Sequence, residues 1–182
     1  MFVPIWLIVV FVVFSAISLY AVSALNRKQQ KFPAQAALSS YIVFSLIFLC
    51  IWIFHFTIPA YIVLLAMLAV FINCFFGHYL DWFNRSKVFD RYLHTYGSFS
   101  FALLAYCLVL NLFVTGGSKA YQSLFVFTIG MALGAIFELI EARSDSKKGT
   151  NNQRGLQDTN MDLLGDLIGS LLAGVFAYCF VL

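Results

Sequence analysis

An all-α, polytopic transmembrane bundle of about six helices is the fold class this sequence predicts, and three observations predict it. Hydrophobic residues make up 62% of the 182 positions and charged ones only 10%, a balance a soluble globule of this size could not hide from water. The apolar segments run on for roughly 20 residues, the length a spanning helix needs, instead of the ~10-residue alternating segments of a membrane barrel. Lysine and arginine, finally, are distributed among the connecting loops with a strong alternation.

The apolar runs fall at about 3–24, 36–56, 58–76, 95–115, 120–142 and 159–182. They consume nearly the whole chain, so it reads as one transmembrane domain over 1–182, and chemistry must come from helix ends and short loops. The first run lacks a basic leader and is followed by Asn26, Arg27 and Lys28, the reverse of a cleavable signal, which makes it an anchor. Phe56, Thr57, Ile58 and Pro59 form an uncharged hinge between spans two and three, short enough to be a hairpin tip. His55 beside it reads as an interfacial residue.

Arg27, Lys28 and Lys31 follow span one; Arg85, Lys87 and Arg91 follow span three; Arg143, Lys147, Lys148 and Arg154 follow span five. The even loops hold Lys119 alone. The positive-inside rule therefore puts the odd loops in the cytoplasm and both termini outside. An odd number of spans would mix the two sets, so the count supports six.

A formal net charge of +3 with no basic stripe excludes a nucleic-acid partner. Cys50, Cys74, Cys107 and Cys179 sit singly in apolar runs without metal-ligand spacing and read as apolar filler, with no disulfide expected. No phosphate-binding or dinucleotide fingerprint occurs. Ser98 and Ser100 come with no nucleophile elbow, so Ser/His/Asp catalysis is not indicated.

All eight acidic residues, Asp81, Asp90, Glu138, Glu141, Asp145, Asp158, Asp162 and Asp166, lie in the third and fifth loops or the helix ends beside them. Carboxylates contribute little to topology, so the positive-inside rule does not explain this gathering. Asp158, Asp162 and Asp166 recur every fourth residue on span six, and Glu138 lies about one turn inside span five. With span four starting near Asp90, His94 shares a face with it, and Gly97 leaves room for a neighbour. These side chains meet at one level, roughly 6–12 Å below the inner helix ends. Helix N-termini favour Asp90, Asp158 and Asp162 by ~0.3–1 kcal/mol each, with Asp158 as a plain N-cap. That account does not reach Asp166 or Glu138.

Gly130 to Gly134 and Gly165 to Gly169 are GxxxG steps on the acid-bearing faces of spans five and six, which are expected to pack together along all four glycines. Clustered carboxylates repel in a low dielectric, leaving three answers: protons, arginine partners from Arg91, Arg143 and Arg154, or a bound cation. Histidine with several carboxylates is the ligand set of Mn, Fe, Zn or Mg. Glu138-x-x-Glu141 is only half of the helical di-iron pattern. His78 and Asp81, three apart, are expected to share a helix face with Cys74 one turn deeper.

Phe89-Asp90-Arg91-Tyr92-Leu93-His94 with Gly97, Glu138-Leu139-Ile140-Glu141, and the segment from Gln157 to Gly169 carry a family likeness. Across about residues 60–182 the chain resembles the YjdF-type bacterial membrane-spanning proteins, and more loosely the VanZ-like proteins linked to glycopeptide resistance. The resemblance implies a bacterial inner-membrane protein in which His94, Glu138, Glu141, Asp158, Asp162 and Asp166 act together, and it brings no known reaction.

The expected function is therefore a divalent cation site at the cytoplasmic mouth, held by His94, Glu138, Asp162 and Asp166 and supported from behind by Asp90, Glu141 and Asp158. Metal-assisted hydrolysis or transfer at a lipid headgroup is the chemistry such a site would suit. Two alternatives stay open: a cation- or proton-coupled transporter, and a non-enzymatic envelope-stress or antibiotic-tolerance factor. The lipid bilayer is the partner common to all three.

The charge alternation makes a direct prediction. A phosphatase fused to the C-terminus should be active outside the cytoplasm and a fluorescent protein fused there should stay dark; fluorescence would reverse the topology.

Overall fold

The computed structural model describes residues 3–113, 117–150 and 153–182. Over these residues the chain forms seven α-helices and no strand, and six helical segments are long and apolar enough to cross a membrane. They are α1 (Ile5–Arg27), α2 (Lys31–Ile53), α3 (Ala60–Phe71, running on as a π-helix over Ile72–Tyr79), α5 (Phe89–Leu112), α6 (Lys119–Lys148) and α7 (Leu156–Phe180), with the short α4 (Trp82–Arg85) after α3. The six expected spans are these six. Their ends differ: α5 starts six residues before the expected 95, and α6 continues six beyond 142 with two polar turns. The expected end of span four at 115 lies outside the described residues.

Two compact units divide the chain at Asp90 and Arg91. In the first, α1 and α2 pair through buried residues spaced by steps of three and four: Phe14, Ser18, Ala21 and Leu25 on one helix, Phe44, Phe48 and Ile51 on the other. That spacing keeps a single seam facing the partner. Along the seam Phe11 stacks on Phe48 with centroids 4.2 Å apart, and Phe14 meets Phe44 edge-on at 5.7 Å. Helix α3 buries Ile62, Val63, Ala66, Met67, Ala69 and Val70. Its π-helical continuation is tied to α2, since Asn73 Nδ2 donates to Ser40 Oγ at 3.0 Å and the Cys74 thiol donates to the Ala37 carbonyl at 3.3 Å.

The expectation for His78 and Asp81 fails here. The helix stops at Tyr79, and Asp81 stands beyond it in the left-handed region, φ 63°, with Asn84 Nδ2 donating to its carboxylate at 2.7 Å. A sequence offset of three gives a shared face only inside an α-helix, and this segment is π-helical and then a turn. His78 instead sits against the Phe83 ring, centroids 4.9 Å apart. Gly77 makes the fold-back possible, because a Cβ there would strike that ring.

The second unit comprises α5 from Arg91 onward, α6 and α7. Its inward faces are stripes at four-residue spacing: Val126, Gly130, Gly134 and Glu138 on α6, and Asp162, Asp166, Ser170 and Gly174 on α7. The large apolar residues of α7, Leu164, Leu167, Ile168, Leu171 and Val175, are exposed, as suits side chains solvated by lipid. Small residues on the inner face are what permit close packing between helices that lipid alone does not drive together.

The four glycines divide their work otherwise than expected. Gly130 and Gly134 do face α7, where an added Cβ would collide with Ser170 and Asp166. Gly165 and Gly169 face α5 instead: Gly165 lies under the Arg91 carbonyl and Thr95 hydroxyl, and Gly169 under the Thr95 carbonyl. Helix α7 carries small residues over a wide arc, so it presents Asp166 to α6 while Gly165 and Gly169, one residue before it and three after, turn to α5. Gly97, expected to make room for a neighbour, has nothing near its missing Cβ.

Gly169 of α7, which faces α5, and Gly97 of α5 itself can be compared directly. Gly169→Leu should cost at least ~1–3 kcal/mol through overpacking against α5 backbone, read as a lowered melting temperature in detergent. Gly97→Ala should be neutral or stabilising, because alanine is better in a helix by about 1 kcal/mol and meets no neighbour. A Gly169→Leu protein melting with the parent would mean α5 and α7 are not in backbone contact.

Candidate metal centre

The early start of α5 is what puts His94 inside a helix. Phe89 is buried and meets Trp82 and Phe83 edge-on, at centroid distances of 5.5 and 5.2 Å. Asp90, also buried, follows in the first turn, where the helix dipole favours a carboxylate. His94 and Ser98 then come one and two turns along from Asp90 on the same face.

Helix α7 begins after Gly155, whose φ of 112° only glycine adopts easily. Gly155 is the N-cap and Asp158 is the third helical residue, so the expected Asp158 cap is corrected by three positions. The Asp158 carboxylate accepts the Arg154 backbone N–H at 3.4 Å. Asp162 and Asp166 follow at four-residue steps and are 2% and 1% exposed.

The extra turns of α6 have a function in the fold. Asp145 near their end accepts from the Thr150 hydroxyl at 2.6 Å and from the Gln153 N–H at 2.8 Å. Gly149 at φ 64° turns the chain back along the helix. Gln153 is thereby delivered to Glu138, its Nε2 donating to the Glu138 Oε2 at 2.9 Å and to the Glu138 carbonyl at 3.0 Å.

His94 is the hub between the carboxylates of α6 and α7. Its Nδ1 lies 3.2 Å from both oxygens of Asp166, and its Nε2 lies 3.7 Å from the Glu138 Oε1. Asp166 also accepts a hydrogen bond from the Ser98 hydroxyl. One potential ligand atom each of His94, Glu138 and Asp162 lies within 4.8 Å of the others. All of these residues belong to the second unit.

Two features of Glu138 stand out physically. Its side chain is 6% exposed, and its Oε1 is buried with no hydrogen-bond partner. Leaving a buried acceptor unmet costs ~1–3 kcal/mol, more for a charged one. The 3.7 Å gap to His94 Nε2 is too long for a hydrogen bond, but two donors sharing one ion at ~2.1 Å bonds and a tetrahedral angle stand about 3.4 Å apart. The arrangement suits atoms that converge on a common point.

The structure thus brings together His94, Glu138, Asp162 and Asp166. Glu141 stands about one turn nearer the C-terminal end of α6 and is half-buried, as is Asp158. Arg143 is exposed and Arg91 buries its Nε without a hydrogen-bond partner, so the basic group shared by Glu138 and Asp166 is the imidazole. Ser98 and Gln153 were absent from the expected set. Ser98 announces itself only by its offset of four from His94, and its bond to Asp166 instead of to the imidazole is not that of a triad nucleophile. Gln153 sits in a loop without periodicity, where no sequence signal points to it.

Comparison with known proteins adds identity at the family level. The family model described as "Predicted membrane protein (DUF2238)" matches residues 4–181. An uncharacterized protein of Thermotoga maritima is 28% identical over 125 residues, 68% of this chain, and the chain spans 65% of that relative's length. No solved structure matches the chain.

The Gln153 contact yields an ordered pair of variants. Gln153→Ala should destabilise by about 1–2 kcal/mol by removing the donor from Glu138. Gln153→Glu should destabilise more than Gln153→Ala, because it replaces the donor with a second carboxyl group against Glu138. Equal melting of all three proteins would show that the loop does not rest on Glu138.

Proposed function

The chain belongs to the DUF2238 family of predicted membrane proteins, and on that premise we propose that it holds a divalent cation within the bundle of α5, α6 and α7. His94, Glu138 and Asp162 are the ligands of this reading. The observation that carries it is Glu138 Oε1, buried, without a hydrogen bond, and 3.7 Å from His94 Nε2. A cation between the two supplies what that oxygen lacks, and removes the repulsion among Glu138, Asp162 and Asp166.

Nitrogen with carboxylate oxygen suits Mn, Fe, Zn or Mg. Three protein ligands leave positions for water or substrate, the pattern of catalytic rather than closed structural sites. A divalent ion supplies Lewis acidity and a water of lowered pKa, which suits hydrolysis or transfer at a lipid headgroup phosphate. One carboxylate of the cluster is then available as general base. In this reading the protein lies in a bacterial cytoplasmic membrane with both termini outside and the site toward the cytoplasm, as the charge alternation and the YjdF-type resemblance suggest.

A transport reading has one observation in its favour. Ser170, a turn beyond Asp166 along α7, is fully buried and its hydroxyl has no hydrogen-bond partner, so polar groups continue inward past the site. Ion or proton flux in proteoliposomes would favour it, and turnover of purified lipids would favour hydrolysis.

The cation itself is tested by stability. Mn2+, Zn2+ or Mg2+ at 100 times its Kd should stabilise the parent by ~2.7 kcal/mol, chelator should reverse the gain, and Asp162→Ala should show neither metal retention nor response. A parent protein indifferent to all three ions and to chelator would end this reading.

A further inference from the structure

We propose that Asp166 is a positioning residue, acting on the ion only through His94, and that Gly134 is the feature of α6 that admits it. The inference rests on the cation reading above. It replaces the expectation that Asp166 itself binds the ion.

An imidazole offers two nitrogens, and the partner of one decides which tautomer is present. An ionised carboxylate only accepts hydrogen bonds. With both Asp166 oxygens at 3.2 Å from Nδ1, the proton belongs on Nδ1 and the lone pair on Nε2, the nitrogen that faces Glu138. The same contact fixes the plane of the ring, as carboxylates behind metal-bound histidines do. Ser98, one turn along α5 from His94, donates to Asp166 Oδ1 and holds the carboxylate in that position.

Space for this arrangement comes from the opposite helix. A Cβ on Gly134 would land on the Asp166 carboxylate carbon and oxygen. Gly134 is buried in the middle of α6, where glycine costs about 1 kcal/mol relative to alanine. The cavity left by its missing methyl is occupied by a charged group 1% exposed. Glu138 stands one turn further on the same face of α6, so a single stripe supplies both the notch for Asp166 and a ligand. Three helices thereby set one imidazole: α5 carries it, α7 turns it, and α6 makes room.

The variant that isolates this is Gly134→Ala, which adds one methyl group and removes no polar atom. Mn2+ binding to the detergent-purified protein, followed by electron paramagnetic resonance, should weaken 10–100-fold in Gly134→Ala and Asp166→Ala. Asp166→Asn, which keeps an acceptor for Nδ1, should weaken less than Asp166→Ala, and Asp162→Ala should lose saturable binding. In the ion-free parent, 15N spectra should show His94 protonated at Nδ1, shifting to Nε2 in Asp166→Ala and Gly134→Ala.

Mn2+ affinity unchanged in Asp166→Ala would overturn the proposal. So would a loss as complete as that of Asp162→Ala, which would make Asp166 a ligand. If the parent binds no Mn2+, the cation reading fails on its own and the tautomer decides: an Nδ1 proton retained in Asp166→Ala refutes the positioning role, and its loss sustains it. Should Gly134→Ala not fold, the Asp166→Ala and Asp166→Asn pair carries the same test.

Discussion

A carboxylate taken out of water into a helical bundle must find a proton, a cationic partner or a metal ion, because the idealised cost of the bare charge is of order 20 kcal/mol and several kcal/mol survive relaxation. Glu138, Asp162 and Asp166 are 5%, 2% and 1% exposed, and the imidazole of His94 meets two of them. That one imidazole faces Glu138 through Nε2 and Asp166 through Nδ1. Other features of the second unit are arranged around that contact. The donors from Ser98 and Gln153 lower the cost of burying Asp166 and Glu138, and the notch at Gly134 gives Asp166 its room.

The packing that makes the site possible is small-residue packing. Helices in lipid gain no hydrophobic free energy from burying leucine against leucine, so close approach depends on packing by residues that let backbones touch. On α7 these occupy a broad arc, and the arc allows one helix to serve two neighbours. Gly165 and Gly169 bring the backbone of α5 near enough for His94 to reach Asp166. Gly130 and Gly134 bring α6 near enough for Glu138 to reach His94. A helix with bulkier residues on either side would hold one of these contacts and lose the other.

Six spans were legible because lipid imposes two readable rules, a minimum apolar length and a charge bias by loop. The convergence of His94, Glu138, Asp162 and Asp166 was legible too, since offsets of four on an α-helix fix a common face. The partners of the glycines were not. Sequence spacing says which residues share a face, but Gly165 and Gly169 sit at the edge of their stripe, and which neighbour that edge meets depends on how three helices cross. His78 and Asp81 part for a related reason, because the α-helical offset of three does not hold across a segment that is π-helical and then turns. Gln153 lay beyond reach altogether: its place depends on Asp145 folding a loop back, a tertiary event with no periodic signature.

The division of roles around His94 ties these points together. Asp166 holds one ring nitrogen, Gln153 holds one oxygen of Glu138, and the remaining atoms, Nε2 and Oε1, face each other across 3.7 Å. These side chains are already oriented, so the proposed ion would find little ordering left to occur on binding. The most direct measurement is an anomalous difference map from crystals of the protein soaked in Mn2+. The account predicts a single strong peak within about 2.0–2.6 Å of His94 Nε2, Glu138 Oε1 and an Asp162 oxygen. A map with no peak there, or with Mn2+ only on Asp145 or other acids outside the cluster, would contradict it.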